Sequence, residues 1–164
     1  MVDRFSAYLQ SLDAGRLADY ATVAGLILAV VSVVVALRQL QDSRRETRRT
    51  LALGAYKDYL ILAMDNPQLS SPSYPKTAPR YHELRKDALA FERYEYFFSN
   101  LVHTAELILD VTKGQDRWKE ELTTQFRFHA LYIPGYLQAY AGNVDQAVAS
   151  LMEKAVLEYK AEKA

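Results

Sequence analysis

Eighteen consecutive residues, Tyr20 to Leu37 (YATVAGLILAVVSVVVAL), carry no charge, no proline and no amide side chain, and Arg38 then opens a stretch dense in arginine. Built as a helix at 1.5 Å per residue, such a run covers roughly 27 Å, close to the hydrocarbon thickness of a bilayer, and a snorkelling Arg38 can extend it at one end. A core helix of a soluble protein seldom runs this long without a polar face. The segment is therefore expected to be a transmembrane helix. A cleaved signal peptide fits less well. The apolar core exceeds a usual h-region, nineteen residues with more acid than base precede it, and no small-x-small cleavage site comes before the arginines. The span is expected to stay in place as an anchor.

Flanking charge sets its orientation. Asp3, Asp13 and Asp19 outnumber Arg4 and Arg16 before the span, whereas Arg38, Arg44, Arg45, Arg48 and Arg49 face only Asp42 and Glu46 after it. The arginine-rich side is expected in the cytoplasm, with the short N-terminal tail outside. What remains of the 164 residues suffices for one small domain. Lys and Arg (20) balance Asp and Glu (20), so there is no global field to gather nucleic acid or an acidic substrate. The absence of cysteine removes disulfides, thiolate metal sites and cysteine nucleophiles together.

The pattern along the chain predicts an all-α protein. Residues 1–15, with Val2, Phe5, Leu9 and Leu12 at helical spacing, read as an interfacial amphipathic segment. Residues 16–64 read as the membrane helix continuing into an Arg-rich stalk, since beyond Leu37 only Gly54 interrupts the helix formers before Pro67. Pro67, Pro72, Pro75 and Pro79 mark residues 65–80 as a proline-rich connector. Residues 81–164 read as a small cytoplasmic helical bundle. Its first helix carries Leu84, Ala88, Phe91, Tyr94, Phe98, Leu101, Ala105 and Ile108 on one side and ends at Gly114. A second is expected to be capped by Asp116, with Trp118, Leu122, Phe126, His129 and Ile133 in a row and an interruption at Pro134 and Gly135. A last helix, with Asn143 and Gln146 as its capping box, carries Val144, Val148, Leu151, Ala155 and Tyr159.

Chemistry is sparse. The span holds no His, Met, Asp or Glu, and so no axial ligand, proton relay or ion site. It does hold a ladder of small residues, Ala21, Gly25 and Ala29, one helical turn apart, with Ser32 and Ala36 on an adjoining face. Such ladders let a second helix approach closely. The pairs Arg44/Arg45 and Arg48/Arg49, with Arg38, form a band that suits anionic lipid or a protein partner, although setting topology alone would explain it equally well. No aromatics are interleaved with these arginines, which argues against nucleic acid as a partner. His103, Glu106 and Asp110 share a polar face, but no Glu-x-x-His pair supports a metal site, and His129 among aromatics reads as a core histidine. No catalytic, cofactor-binding or metal-ligating residue is assigned. The chain has more rings after Tyr81 than one bundle face can bury, so Tyr96, Phe97 and Tyr136 are the candidates for a docking surface.

The order of parts resembles a loose group of uncharacterised bacterial inner-membrane proteins. The residues that carry the resemblance are Gln39 to Arg49, Asn66 to Leu69 and Phe91 to Leu109. The resemblance implies a bacterial source and supplies no activity. The expectation is a non-catalytic, membrane-anchored interaction protein, an accessory or assembly subunit of a larger bacterial membrane complex, with the bilayer and other membrane subunits as partners. A self-associating signalling scaffold or membrane effector is the alternative, and a membrane-tethered enzyme is the third and least supported reading.

Overall fold

The computed structural model describes residues 14–162. Among them all regular structure is helical and no strand occurs. In chain order the helices are α1 (Ala14–Asp65), α2 (Pro67–Ser70), α3 (Tyr81–Leu84), α4 (Ala88–Thr112), α5 (Asp116–Arg127), α6 (Ile133–Tyr140) and α7 (Gln146–Ala161), with a 3-10 turn at Ala141–Asn143. The interfacial segment expected over residues 1–15 lies almost wholly outside the described residues.

Helix α1 is one element of 52 residues. A glycine inside a helix costs only about 1 kcal/mol against alanine, so Gly25 and Gly54 leave it intact. A proline costs about 3 kcal/mol and restricts the residue before it. The helix accordingly stops at Asp65, and Pro67 opens α2 at its first position, where no N–H is needed.

The chain divides into two compact units inside α1, between Glu46 and Thr47. In the first unit, every residue from Ala18 to Glu46 is exposed. Two of its hydroxyls bond within the helix: Thr22 Oγ1 donates to the Ala18 carbonyl and Ser32 Oγ to that of Leu28, both at 2.8 Å.

The second unit is organised around α4, α5 and α7. Helices α5 and α7 pack along each other most extensively, and α4 lies against both. Tyr94, Phe98, Leu101, Ala105 and Ile108 of α4 meet Leu122 and Phe126 of α5, Ile133 of α6, and Val148, Met152 and Ala155 of α7, all of them buried. The core also extends upstream of the region that the helical pattern assigns to it. Ala52 and Tyr59 of α1 and Leu69 of α2 belong to the same cluster.

Caps fix where these helices begin, and not always where the sequence suggests. The side chain of Asp87 accepts from the amides of Leu89 and Ala90, so α4 starts at Ala88, and Leu84 falls in the separate turn α3. Asp116 is the first residue inside α5 rather than its cap, and its carboxylate pairs with Lys119 at 3.1 Å. Asp145, not Asn143, caps α7 by accepting from Ala147 N at 2.7 Å. At the end of α4 the chain turns left-handed at Lys113 (φ 56°) and Gly114 (φ 65°). The Lys113 and Gly114 amides close on the carbonyls of Asp110 and Leu109, a paired capping motif that favours glycine in its left-handed positions.

The proline-rich stretch is tied down at its centre. Ser73 is fully buried; its amide donates to Phe128 O (3.0 Å), its hydroxyl accepts from Leu131 N (3.1 Å) and its carbonyl accepts from the Tyr159 hydroxyl (2.9 Å). Lys76 Nζ donates to the carbonyls of Tyr159 (2.7 Å) and Glu162 at the C-terminal end of α7. A cation there satisfies open carbonyls and complements the helix dipole.

Candidate functional site

The small-residue ladder of the first unit stands free. Ala21, Gly25 and Ala29 are exposed, and a Cβ built at Gly25 would meet nothing within 4 Å. The large apolar residues around them are exposed as well, among them Leu26 (66%), Leu28 (67%) and Val30 (56%). Among the described residues one helix, within Ala18–Asp65, is long and apolar enough to cross a membrane, and none of its most apolar window is buried. Arg38, Arg44 and Arg45 in this unit, and Arg48 and Arg49 at the start of the next, are all exposed.

The three rings expected to form a docking surface are not equivalent. Tyr96 is 71% exposed. Phe97 is a core residue at 3% exposure, against the rings of Tyr59 (5.8 Å between centroids) and His129 (5.8 Å). Its placement corrects the expectation of a surface ring, because α4 is covered on two sides, and the second cover comes from α1. Tyr136 is half-buried, edge-on to Phe98 at 4.9 Å and beside Tyr132 and Tyr140.

Tyr96 and Phe97 nevertheless share one feature, a groove of about 500 Å³. Its apolar lining comes from Leu62, Leu69, Leu84, Ala90 and Phe97. Besides Tyr96, its polar lining comes from Asn66, Gln68, Arg93 and Asn100. Tyr136 is not part of it. Sequence patterning missed this groove because it forms where α1 and α2 meet the start of α4, across the proline-rich stretch. The available signal was the row Ala52, Tyr56, Tyr59 and Ala63, which steps by four, three and four and announces that α1 has a buried side.

His129 is a buried titratable group of the second unit. The ring is fully buried, stacked on Tyr94 (5.7 Å between centroids, 25° between planes) and edge-on to Phe98 (5.3 Å). Its Nδ1 shares a hydrogen bond of 3.1 Å with the Tyr94 hydroxyl, while Nε2 has no partner. Burial pushes the imidazole pKa down to about 3 and holds the Tyr94 hydroxyl well above its usual range. Such a group neither gains nor loses a proton near neutrality.

His103 is exposed and its Nδ1 lies 3.3 Å from Glu106 Oε2. The other oxygen of Glu106 accepts from Asp145 N at 3.2 Å, which fastens the start of α7 to α4. The pair therefore has a structural task. Among the described residues no group of three or more His, Asp or Glu is placed to hold a metal ion.

No protein-family model, no curated protein and no solved structure matches this chain. Its surfaces must be read on their own physical terms. They offer an apolar helical stretch in which every residue from Ala18 to Glu46 is exposed, an exposed arginine series, and an open groove with a mainly apolar lining.

Proposed function

We propose that the chain is a non-catalytic, membrane-anchored interaction protein, an accessory or assembly subunit of a larger complex in a bacterial inner membrane. One observation carries this reading: from Ala18 to Glu46 no residue of α1 is buried, although Tyr20 to Leu37 are uncharged and largely aliphatic. At about 25 cal/mol per Å² of apolar surface, leaving such a helix in water is costly, and a bilayer removes that cost. Because lipid tails are as apolar as leucine, contact between helices there depends on close packing, which suits the open face of Ala21, Gly25 and Ala29. The arginines after the span orient the chain with its N-terminus outside and its second unit in the cytoplasm, where Arg38, Arg44, Arg45, Arg48 and Arg49 meet anionic headgroups. The stalk is the arginine-rich part of α1, and the helices after the proline-rich stretch, with the end of α1 and α2 packed into their core, form the cytoplasmic bundle.

The test is extraction of the full chain from bacterial membranes. Alkaline carbonate should leave it in the pellet and mild detergent should release it. Replacing Leu28 and Val31 with arginine, at roughly 2.5 to 3.5 kcal/mol each near the bilayer centre, should shift it to the soluble fraction. Release of the unaltered chain by carbonate would reject the anchor. After detergent release, stoichiometric foreign subunits support the accessory role, whereas a homo-oligomer alone supports the self-associating scaffold.

A further inference from the structure

We infer that the groove beside Arg93 is a binding site for an amphiphilic carboxylate, a molecule with one acid head and an unbranched apolar chain. The inference goes beyond the membrane reading and does not depend on it, because every lining residue lies in the second unit. Three properties of the groove select this ligand.

Size comes first. At about 500 Å³ the groove falls within the range of small-molecule sites, which pair a mainly apolar lining with a few polar groups. A docked protein would need a surface on the order of 800 Å² per partner, far wider than this cleft. The second property is the apolar lining. Leu69 and Phe97 are nearly buried, and Leu62, Leu84 and Ala90 are half-buried, so five hydrocarbon side chains face one space with no carboxylate among them. That lining suits an alkyl chain.

Charge is the third and decides the head group. Arg93 is the single formal charge in the lining, and among the described residues no carboxylate lies within ion-pairing distance of it. A guanidinium presents two parallel N–H donors that match one carboxylate bidentately. A phosphate dianion would keep a charge uncompensated here. Among the described residues the side-chain amides of Gln68 and Asn100 have no hydrogen-bond partner, and they supply further donors to the same acid. Asn66 is already engaged, its Nδ2 donating to the Leu62 carbonyl at 3.0 Å, and it serves to shape the wall.

The experiment uses the full chain in amphipol, so that no free detergent competes, and a dodecanoate carrying a diazirine on its chain as the probe. Irradiation followed by peptide mass spectrometry should place the label within residues 62–69 and 84–100. Unlabelled dodecanoate should displace the probe and dodecanol should not. Arg93→Gln should raise the concentration for half-maximal labelling by about tenfold or more, the factor lost with one charge-assisted hydrogen bond, and Arg93→Lys should recover part of it. Arg93 is exposed, so its variants keep the melting behaviour of the parent. Ala90→Phe, which fills the groove, should block labelling independently. Label confined to residues 20–37, equal displacement by dodecanol, or an unchanged concentration dependence in Arg93→Gln would each overturn the inference. Label in the groove without the carboxylate preference would assign it to a neutral apolar ligand, or to a partner's apolar side chain, and would equally reject the acid.

Discussion

Burial keeps the His129 imidazole neutral in the folded chain, so protonation and folding compete for this residue. Its pKa is 6.5 in the unfolded chain and is lowered to about 3 by burial in the fold. Above pH 6.5 neither state holds the proton and nothing is lost. As pH falls from about 6.5 towards 3, the unfolded chain takes up a proton that the folded one refuses, and stability drops, by an amount on the order of 5 kcal/mol across the window. Carboxylates add their own acid sensitivity, so the informative quantity is a difference. Urea melts of the Tyr94→Phe/His129→Phe double variant should show a shallower loss between pH 6.5 and 4 than the parent; parallel profiles would mean that His129 is hydrated in the fold. Much of this residue was legible beforehand. His129 continues the apolar row of Leu122 and Phe126, which reads as a core histidine with one satisfied nitrogen, and one ring nitrogen does bond to Tyr94. Phe97 was not legible, because a ring adjacent to an apolar stripe can be surface or core, and only the Tyr59 ring against it decides.

Among the elements, periodicity located the helices and local hydrogen bonds moved their ends. Asn143 and Asp145 both have side chains able to cap α7. The chain uses Asp145 because the 3-10 turn at Ala141–Asn143 already occupies the earlier position. The same competition explains α4, where Asp87 captures the Leu89 and Ala90 amides and cuts Leu84 away from the helix that its spacing suggested. The proposed packing face of Ala21, Gly25 and Ala29 on α1 requires a direct test. Gly25 has open space around it and a side chain there costs the monomer nothing. Gly25→Ile should therefore leave membrane insertion intact while reducing co-purification with whichever helix packs on that face. Val30→Leu, displaced around the same helix, should have no such effect. Equal loss from both changes, or from neither, would remove Ala21, Gly25 and Ala29 from the contact.

For the whole molecule the decisive fact is that the core of the second unit is not confined to the helices after the prolines. The rows of Tyr94, Phe98 and Leu101, of Leu122 and Phe126, and of Val148, Leu151 and Ala155 were visible in the sequence, and they did turn inward. The contribution of Tyr59 and Leu69 was hidden, because the stretch containing Pro67, Pro72, Pro75 and Pro79 looks like a boundary when only local propensity is weighed. Ser73 and Lys76 reverse that inference, since a segment with a fully buried serine bonded to Phe128, Leu131 and Tyr159 packs as part of the unit. The consequence separates two fragments. Residues 78–164 lose Ala52, Tyr59, Leu69 and the Ser73 and Lys76 bonds; a large buried apolar side chain is worth about 1.5 to 3 kcal/mol and a hydrogen bond about 1 kcal/mol. Those losses approach the whole stability of a domain this small, about 5 to 15 kcal/mol. Residues 47–164 retain every one of these contacts. Thermal melting followed by near-ultraviolet circular dichroism should therefore show a cooperative transition for 47–164 and a broad or absent one for 78–164. Matching transitions would mean that Tyr59 and Leu69 cover a core already complete without them.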